Sequence, residues 1–168
     1  MRSFVSQLTF VALTVLTQVS YASAPDAGPS IEDTLAYING KFVDLSNTRN
    51  AQFSVSSDYK YLILSYESCQ NDCRNDANWR PYSRTAVVSG LDTQNISSEN
   101  VQRGIRIVVT CKQRRVCISD QKQNAYSDFG VFPLPPDPEL ATRVTRALEH
   151  LILKMREEES DKNDPFAK

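Results

Sequence analysis

Four cysteines, a single histidine and one loop rich in oxygen donors are the groups in this chain best suited to chemistry, and their spacing decides which kind. Three residues separate Cys69 from Cys73, and five separate Cys111 from Cys117. Cys111 and Cys117 flank Lys112 to Val116, which reads as the tip of an antiparallel hairpin. Opposed residues there have Cα atoms about 4.5 to 5.5 Å apart, within reach of a disulfide. Cys69 and Cys73 are close enough to close a small ring in a polar loop. Two local bridges are favoured, although four cysteines allow three pairings and a loop-to-hairpin cross-link is one of them. A four-thiolate zinc site is the rival reading, and both spacings suit it poorly.

Catalytic chemistry finds little to assemble from. His150 falls on the polar side of a helix beside Glu149 and reads as a solvated surface residue. A nucleophilic triad needs a histidine poised against a nucleophile, and most metal sites use several such ligands. Asn71, Asp72, Asn75, Asp76 and Asn78 gather oxygens, but the spacing and central glycine of a calcium-binding EF-hand loop are missing. Glu157, Glu158 and Glu159 lie at the end of a helix and read as solvated. No phosphate-cradling glycine loop and no cofactor is implied.

Binding chemistry is better represented. From Val101 to Ser119 the chain carries Arg103, Arg106, Lys112, Arg114 and Arg115 with no acidic residue. On a stapled tip, Lys112, Arg114 and Arg115 would project together towards phosphate or carboxylate groups. In the second cluster, Trp79, Arg80 and Tyr82 combine residue types enriched at interface hot spots, on a loop that a disulfide would pre-order. The rival readings are a solvated turn for the first cluster and, for the second, a Trp79 folded back onto the core.

These groups need elements to position them. Arg2 followed by the apolar run Phe4 to Val19 and by Ser20-Tyr21-Ala22 reads as a signal peptide over residues 1–22, with an N-terminal membrane anchor as the alternative. Residues 23–30 read as a flexible leader. Without Arg2, 18 basic residues face 20 acidic ones, a net charge of −2 that argues against a nucleic-acid partner. The remaining length of about 145 residues suits a single domain, placed at 31–156, with 157–168 as a polar tail.

Ser30 and Asp33 form a capping signature for a helix over about 31–43, weakened at Gly40. Strands are expected at Gln52–Ser56, Tyr61–Tyr66, Arg84–Ser89, Gly104–Cys111, Arg115–Ser119 and Tyr126–Phe132, with a long polar loop from Glu67 to Ser83. Pro133, Pro135 and Pro136 stop the last strand. Asp137 and Pro138 then open an amphipathic helix that runs to Arg156, with Leu140, Val144, Ala147, Leu148, Leu151, Ile152 and Met155 on one face. Asn95-Ile96-Ser97 matches an N-glycosylation sequon, which matters only in a eukaryotic host.

The segments IEDTLAYIN, SDYKYLILSY and DPELATRVTRALEHLI together resemble a family of small exported bacterial proteins of uncharacterised role, with a pleckstrin-homology-like layout. That resemblance implies an α+β fold: an antiparallel β-meander curled into a barrel, with an N-terminal helix and a C-terminal helix packed on it. It implies a scaffold and no particular chemistry. The functional expectation is a noncatalytic exported binding module for a protein or an anionic envelope component, in the periplasm or outside the cell. It would have no stable membrane insertion after signal cleavage. A small secreted hydrolase with a dispersed carboxylate site, and an inhibitor of a secreted hydrolase, are the alternatives.

Overall fold

A computed structural model describes residues 28–69, 71–101 and 104–163, apart from the side chains of 131–133. The expected signal peptide, most of the leader, Arg103 and the last residues of the tail lie outside the described residues.

Helix α1 (Ile31–Asn39) starts as its sequence dictates. The Ser30 hydroxyl oxygen accepts from the Asp33 N–H at 3.0 Å, and Thr34 donates to the Ser30 carbonyl at 2.7 Å. It stops at Asn39, four residues short of the expected end. The Asn39 amide instead works as one rung of a strand, donating to the Phe53 carbonyl at 2.9 Å and accepting from the Phe53 N–H at 2.7 Å. Phe53 belongs to β1 (Thr48–Val55), an edge strand whose open hydrogen-bonding side this contact blunts. Asn39→Ala leaves both Phe53 backbone groups without a partner in a partly buried site. The expected loss is about 2 kcal/mol of stability, read from the denaturant midpoint.

β1 is followed by β2 (Tyr61–Cys69), β3 (Trp79–Val87), β4 (Leu91–Val101), β5 (Gly104–Cys111), β6 (Ile118–Asp120), β7 (Ala125–Tyr126) and β8 (Asp128–Leu134). The strands form two antiparallel sheets, ordered β1-β2-β3-β6-β7 and β4-β5-β8. Neither closes, so the expected barrel is overturned. The chain changes sheet three times, at β3–β4, β5–β6 and β7–β8, whereas a meander would pair each strand with its successor.

The Cys111–Cys117 disulfide, with Cα atoms 5.8 Å apart, sits at one of these changes. Cys111 ends a strand of the three-stranded sheet, and Cys117 precedes one of the five-stranded sheet. The bridge therefore fastens a crossover between sheets, where the sequence reading expected it to staple the tip of a hairpin. Backbone bonds tighten the same junction: the Val87 N–H donates to the Cys117 carbonyl and the Cys111 N–H to the Ser127 carbonyl. Gly90 is needed beside it, because an added Cβ would lie 2.7 Å from Cys117 Cβ. Cys69 and Cys73 form the second bridge, with Cα atoms 5.7 Å apart, so the zinc alternative falls.

Helix α2 (Pro138–Asn163) is capped as expected, with the Asp137 carboxylate accepting the Glu139 and Leu140 N–H groups at 2.9 and 3.0 Å. It packs on α1 and on the β4–β5 side, covering the three-stranded sheet and plugging no barrel end. Its apolar stripe joins one hydrophobic cluster fed by both helices and both sheets.

The helix also runs past Arg156 through most of the expected polar tail. Lys154 pairs with Glu157 at 2.9 Å, and Lys162 donates to the Ser57 carbonyl at 2.6 Å while lying over the Tyr59 ring. Arg156 donates to the Val88 and Leu91 carbonyls, bracing the turn between β3 and β4. His150 is not simply solvated: its Nε2 is 2.9 Å from the Pro29 carbonyl oxygen, tying the segment before α1 to α2. Among the described residues, no helix is long and apolar enough to cross a membrane.

Candidate functional site

Residues two apart along a strand share a face, and on the five-stranded sheet one such face changes character halfway along. Leu62 and Leu64 of β2, Ala86 of β3 and Ile118 of β6 are buried in the core. Continuing in the same register, Tyr66 pairs with Tyr82, Arg84 with Asp120, and Ile118 with Tyr126. The core face therefore runs on into a patch of tyrosines and charges.

Asp120 is the centre of that patch. Its Oδ2 accepts from the Tyr82 hydroxyl at 2.8 Å, the Tyr126 hydroxyl at 2.9 Å and Asn124 Nδ2 at 2.8 Å. Its Oδ1 accepts the Lys122 and Asn124 backbone N–H groups, both at 2.9 Å. The Asn124 side chain, joined by the two phenols and a backbone N–H, holds the carboxyl far below the usual carboxylate range, against the opposing effect of burial. In return, the bond to Asp120 pushes the Tyr126 phenol up. Burial raises Tyr66 to about 12, so Asp120, Tyr126 and Tyr66 each keep one protonation state near neutrality.

Arg84 lies beside this network, with its guanidinium carbon 4.8 Å from the Tyr126 ring centre and 5.9 Å from that of Tyr82. Its Nε is buried without a hydrogen-bond partner. Beyond it a cleft of about 600 Å³ opens. Tyr66 and Tyr82 form its floor, with ring centres 5.0 Å apart and planes tilted by 47°. Arg80 and Lys122 stand on its rim with the amides Asn71, Asn78 and Gln121. Arg80 is braced by Nη1 donating to the Ala77 and Trp79 carbonyls at 2.6 and 3.1 Å. Among the described residues, none of Arg80, Arg84 and Lys122 forms an ion pair.

The candidate residues read from sequence divide between this cleft and other places. Arg80 and Tyr82 belong to it. Trp79 does not, because alternation along β3 sends it to the opposite face. There it lies under Arg49, 4.3 Å from ring centre to guanidinium carbon, and donates from Nε1 to the Cys73 carbonyl at 3.2 Å. Arg49 in turn pairs with Glu67 and Asp76. Trp79 thus seats the disulfide loop.

The oxygen-rich loop bonds largely within itself: Asp72 accepts the Arg74 N–H, Asn75 the Ala77 N–H, and Asn78 donates to the Asp72 carbonyl. Among the described residues, no three His, Cys, Asp or Glu gather as metal ligands. Lys112, Arg114 and Arg115 lie on the crossover turn, away from the cleft lining. Lys112 donates to the Ser89 carbonyl at 2.9 Å, Arg114 lines a separate hollow with Asp92 and Asn95, and Arg115 is exposed.

Sequence reasoning missed Tyr66, Arg84, Asp120, Lys122, Asn124 and Tyr126. Alternation in YLILSY does place Tyr66 on the face of Leu62 and Leu64. Nothing local, however, announces that Tyr82 meets Asp120, 38 residues away. No protein-family model, curated protein or solved structure matches this chain.

Proposed function

We propose that the protein is a noncatalytic exported binding module, working in the periplasm or outside the cell. On this reading it takes an anionic group of a protein or envelope component into the cleft over Tyr66 and Tyr82. One observation carries the proposal: Arg80, Arg84 and Lys122 converge on the tyrosine patch without an ion pair, while the nearby carboxylate has both oxygens occupied by neutral donors. Cations held without an ion pair beside a concave, partly desolvated surface favour an incoming anion.

The enzyme alternative draws less support. Among the described residues Asp120 is the only buried carboxylate, and a carboxyl locked in its ionised form by five donors is a poor general acid or base. The two disulfides fit an oxidising compartment.

Recovery of envelope components on immobilised protein tests the site. Arg80→Gln/Lys122→Gln is expected to reduce recovery of the partner at least about fivefold, and rising salt should weaken wild-type capture in the same direction. Arg114→Ala/Arg115→Ala should leave recovery near wild type. Unchanged recovery of every partner by the Arg80/Lys122 variant overturns the site.

A further inference from the structure

We infer that the group held in this cleft belongs to an acidic saccharide. The inference rests on the anion-binding reading of the same cleft and narrows it to a ligand class. The floor is aromatic and slightly folded, two tyrosine rings 5.0 Å apart at 47°, so it offers a broad apolar face of the kind that packs against the C–H side of a sugar ring. Tyr82 cannot swing freely, because its hydroxyl is tied to Asp120. The platform is therefore fixed before a ligand arrives.

The rim supplies the polar half. Asn71, Asn78 and Gln121 each carry both a donor and an acceptor, which matches neighbouring sugar hydroxyls that also do both. Asn78 Nδ2 is held by the Asp72 carbonyl at 2.9 Å, which sets its orientation and leaves its carbonyl oxygen to accept. Arg80 is anchored through Nη1 alone, so Nε and Nη2 remain as a fork for a carboxylate or a phosphate. Lys122 adds a second cation on the rim.

The leading rival, an acidic peptide, would share the cations and would have little use for the floor. The aliphatic walls that hold the apolar face of a helical peptide are missing: among the described residues, no Leu, Ile, Val or Met lines this cleft. Its volume of about 600 Å³ lies within the span of small-ligand sites and suits one or two sugar rings.

Titration of the purified, oxidised protein with uronic-acid disaccharides, followed by heteronuclear NMR, tests the inference. The probes are glucuronate- and galacturonate-containing disaccharides, their neutral hexose counterparts, and oligoglutamate. The acidic disaccharides are expected to shift the side-chain signals of Asn71, Asn78, Gln121 and Arg80. Neutral counterparts should bind at least fivefold more weakly, and Tyr66→Ala should weaken acidic-disaccharide binding at least tenfold. Gln121→Ala, at an exposed position that leaves the core intact, should weaken it at least threefold and keeps the test valid if Tyr66→Ala folds poorly.

Acidic-disaccharide binding that ignores Gln121→Ala, or that shifts signals elsewhere, overturns the inference. So does oligoglutamate binding that depends on Arg80 and Lys122 while no disaccharide binds; the anion-binding reading then stands. Envelope recovery indifferent to Arg80 and Lys122 removes that reading and this inference together.

Discussion

Replacing Leu148 with alanine is expected to lower the unfolding free energy by about 3 kcal/mol, within a range of roughly 2 to 5 for such truncations. Leu148 is 0% exposed, one turn along α2 from Val144 and beside Leu151 and Ile152, where α2 meets α1 and the β4–β5 side of the second sheet. Its neighbours on both sides belong to regular elements whose backbones are held by their own hydrogen bonds. The site therefore collapses only partly, and a cavity remains. For a domain of this size, 3 kcal/mol is a large share of total stability.

Urea unfolding should show a lower midpoint with an unchanged slope. The matched control is Leu153→Ala, on the outer side of the same helix at 45% exposure, where the expected change is within about 0.5 kcal/mol. Equal losses at the two positions would mean that the apolar stripe is not the packed face of α2.

Asp120→Asn is expected to weaken the fold near neutral pH and to remove part of its acid sensitivity. At 8% exposure the carboxylate accepts five hydrogen bonds, and the amide that replaces it turns a donor towards groups that are themselves donors. The sign of the pH effect follows from the depressed carboxyl. In the unfolded chain Asp120 protonates near its ordinary value of 3.8, whereas in the folded protein it stays ionised well below that. Its contribution is therefore complete above pH 3.8 and is lost as the pH falls through the acid range below it.

Asp58, held down chiefly by Ser56, and Asp92, held down chiefly by Asn95, add slopes of the same sign. The diagnostic quantity is thus the gap in unfolding midpoint between wild type and Asp120→Asn, wide at pH 7 and closing below about pH 4. A gap that does not depend on pH would show that the network's charge is irrelevant to stability. Because Tyr82 loses its anchor in the same variant, partner recovery should fall as well.

The readable parts of this molecule are those whose causes lie within a few residues. Ser30 and Asp137 cap helices because a side-chain oxygen reaches N–H groups two or three residues on, and both caps stand where their sequences put them. The two short cysteine spacings likewise favour a near neighbour as partner, and both local bridges are present.

β4 left no comparable trace. Of its eleven residues only Leu91 is buried, so hydrophobic alternation is lacking, and its strand character comes from pairing with β5. The expected loop from Glu67 to Ser83 shrank for a related reason: Cys69 opposes Trp79 in a β2–β3 ladder that runs nearly to the disulfide, although the residues along it are largely polar. The extension of α2 to Asn163 is tied to the rest of the fold by Lys162 reaching Ser57, more than a hundred residues away.

The amino-acid sequence by itself determined that two capped helices flank a β-rich middle and that α2 offers one apolar face to a core, and it favoured local cysteine pairs without excluding a cross-link that the structure rules out. Capping and periodicity are local, so each is settled by residues already adjacent in the chain. Tertiary structure alone decided that the strands split into two open sheets and do not close a barrel. It also decided that Cys111–Cys117 fastens a crossover and that Trp79 turns away from Arg80 and Tyr82. Strand pairing joins distant segments, and a side chain's face depends on which neighbour its strand acquires. The candidate cleft exists for that reason: β3 pairs with β6, bringing Tyr82 and Arg84 against Asp120 beside Tyr66, a meeting that no spacing along the chain announces.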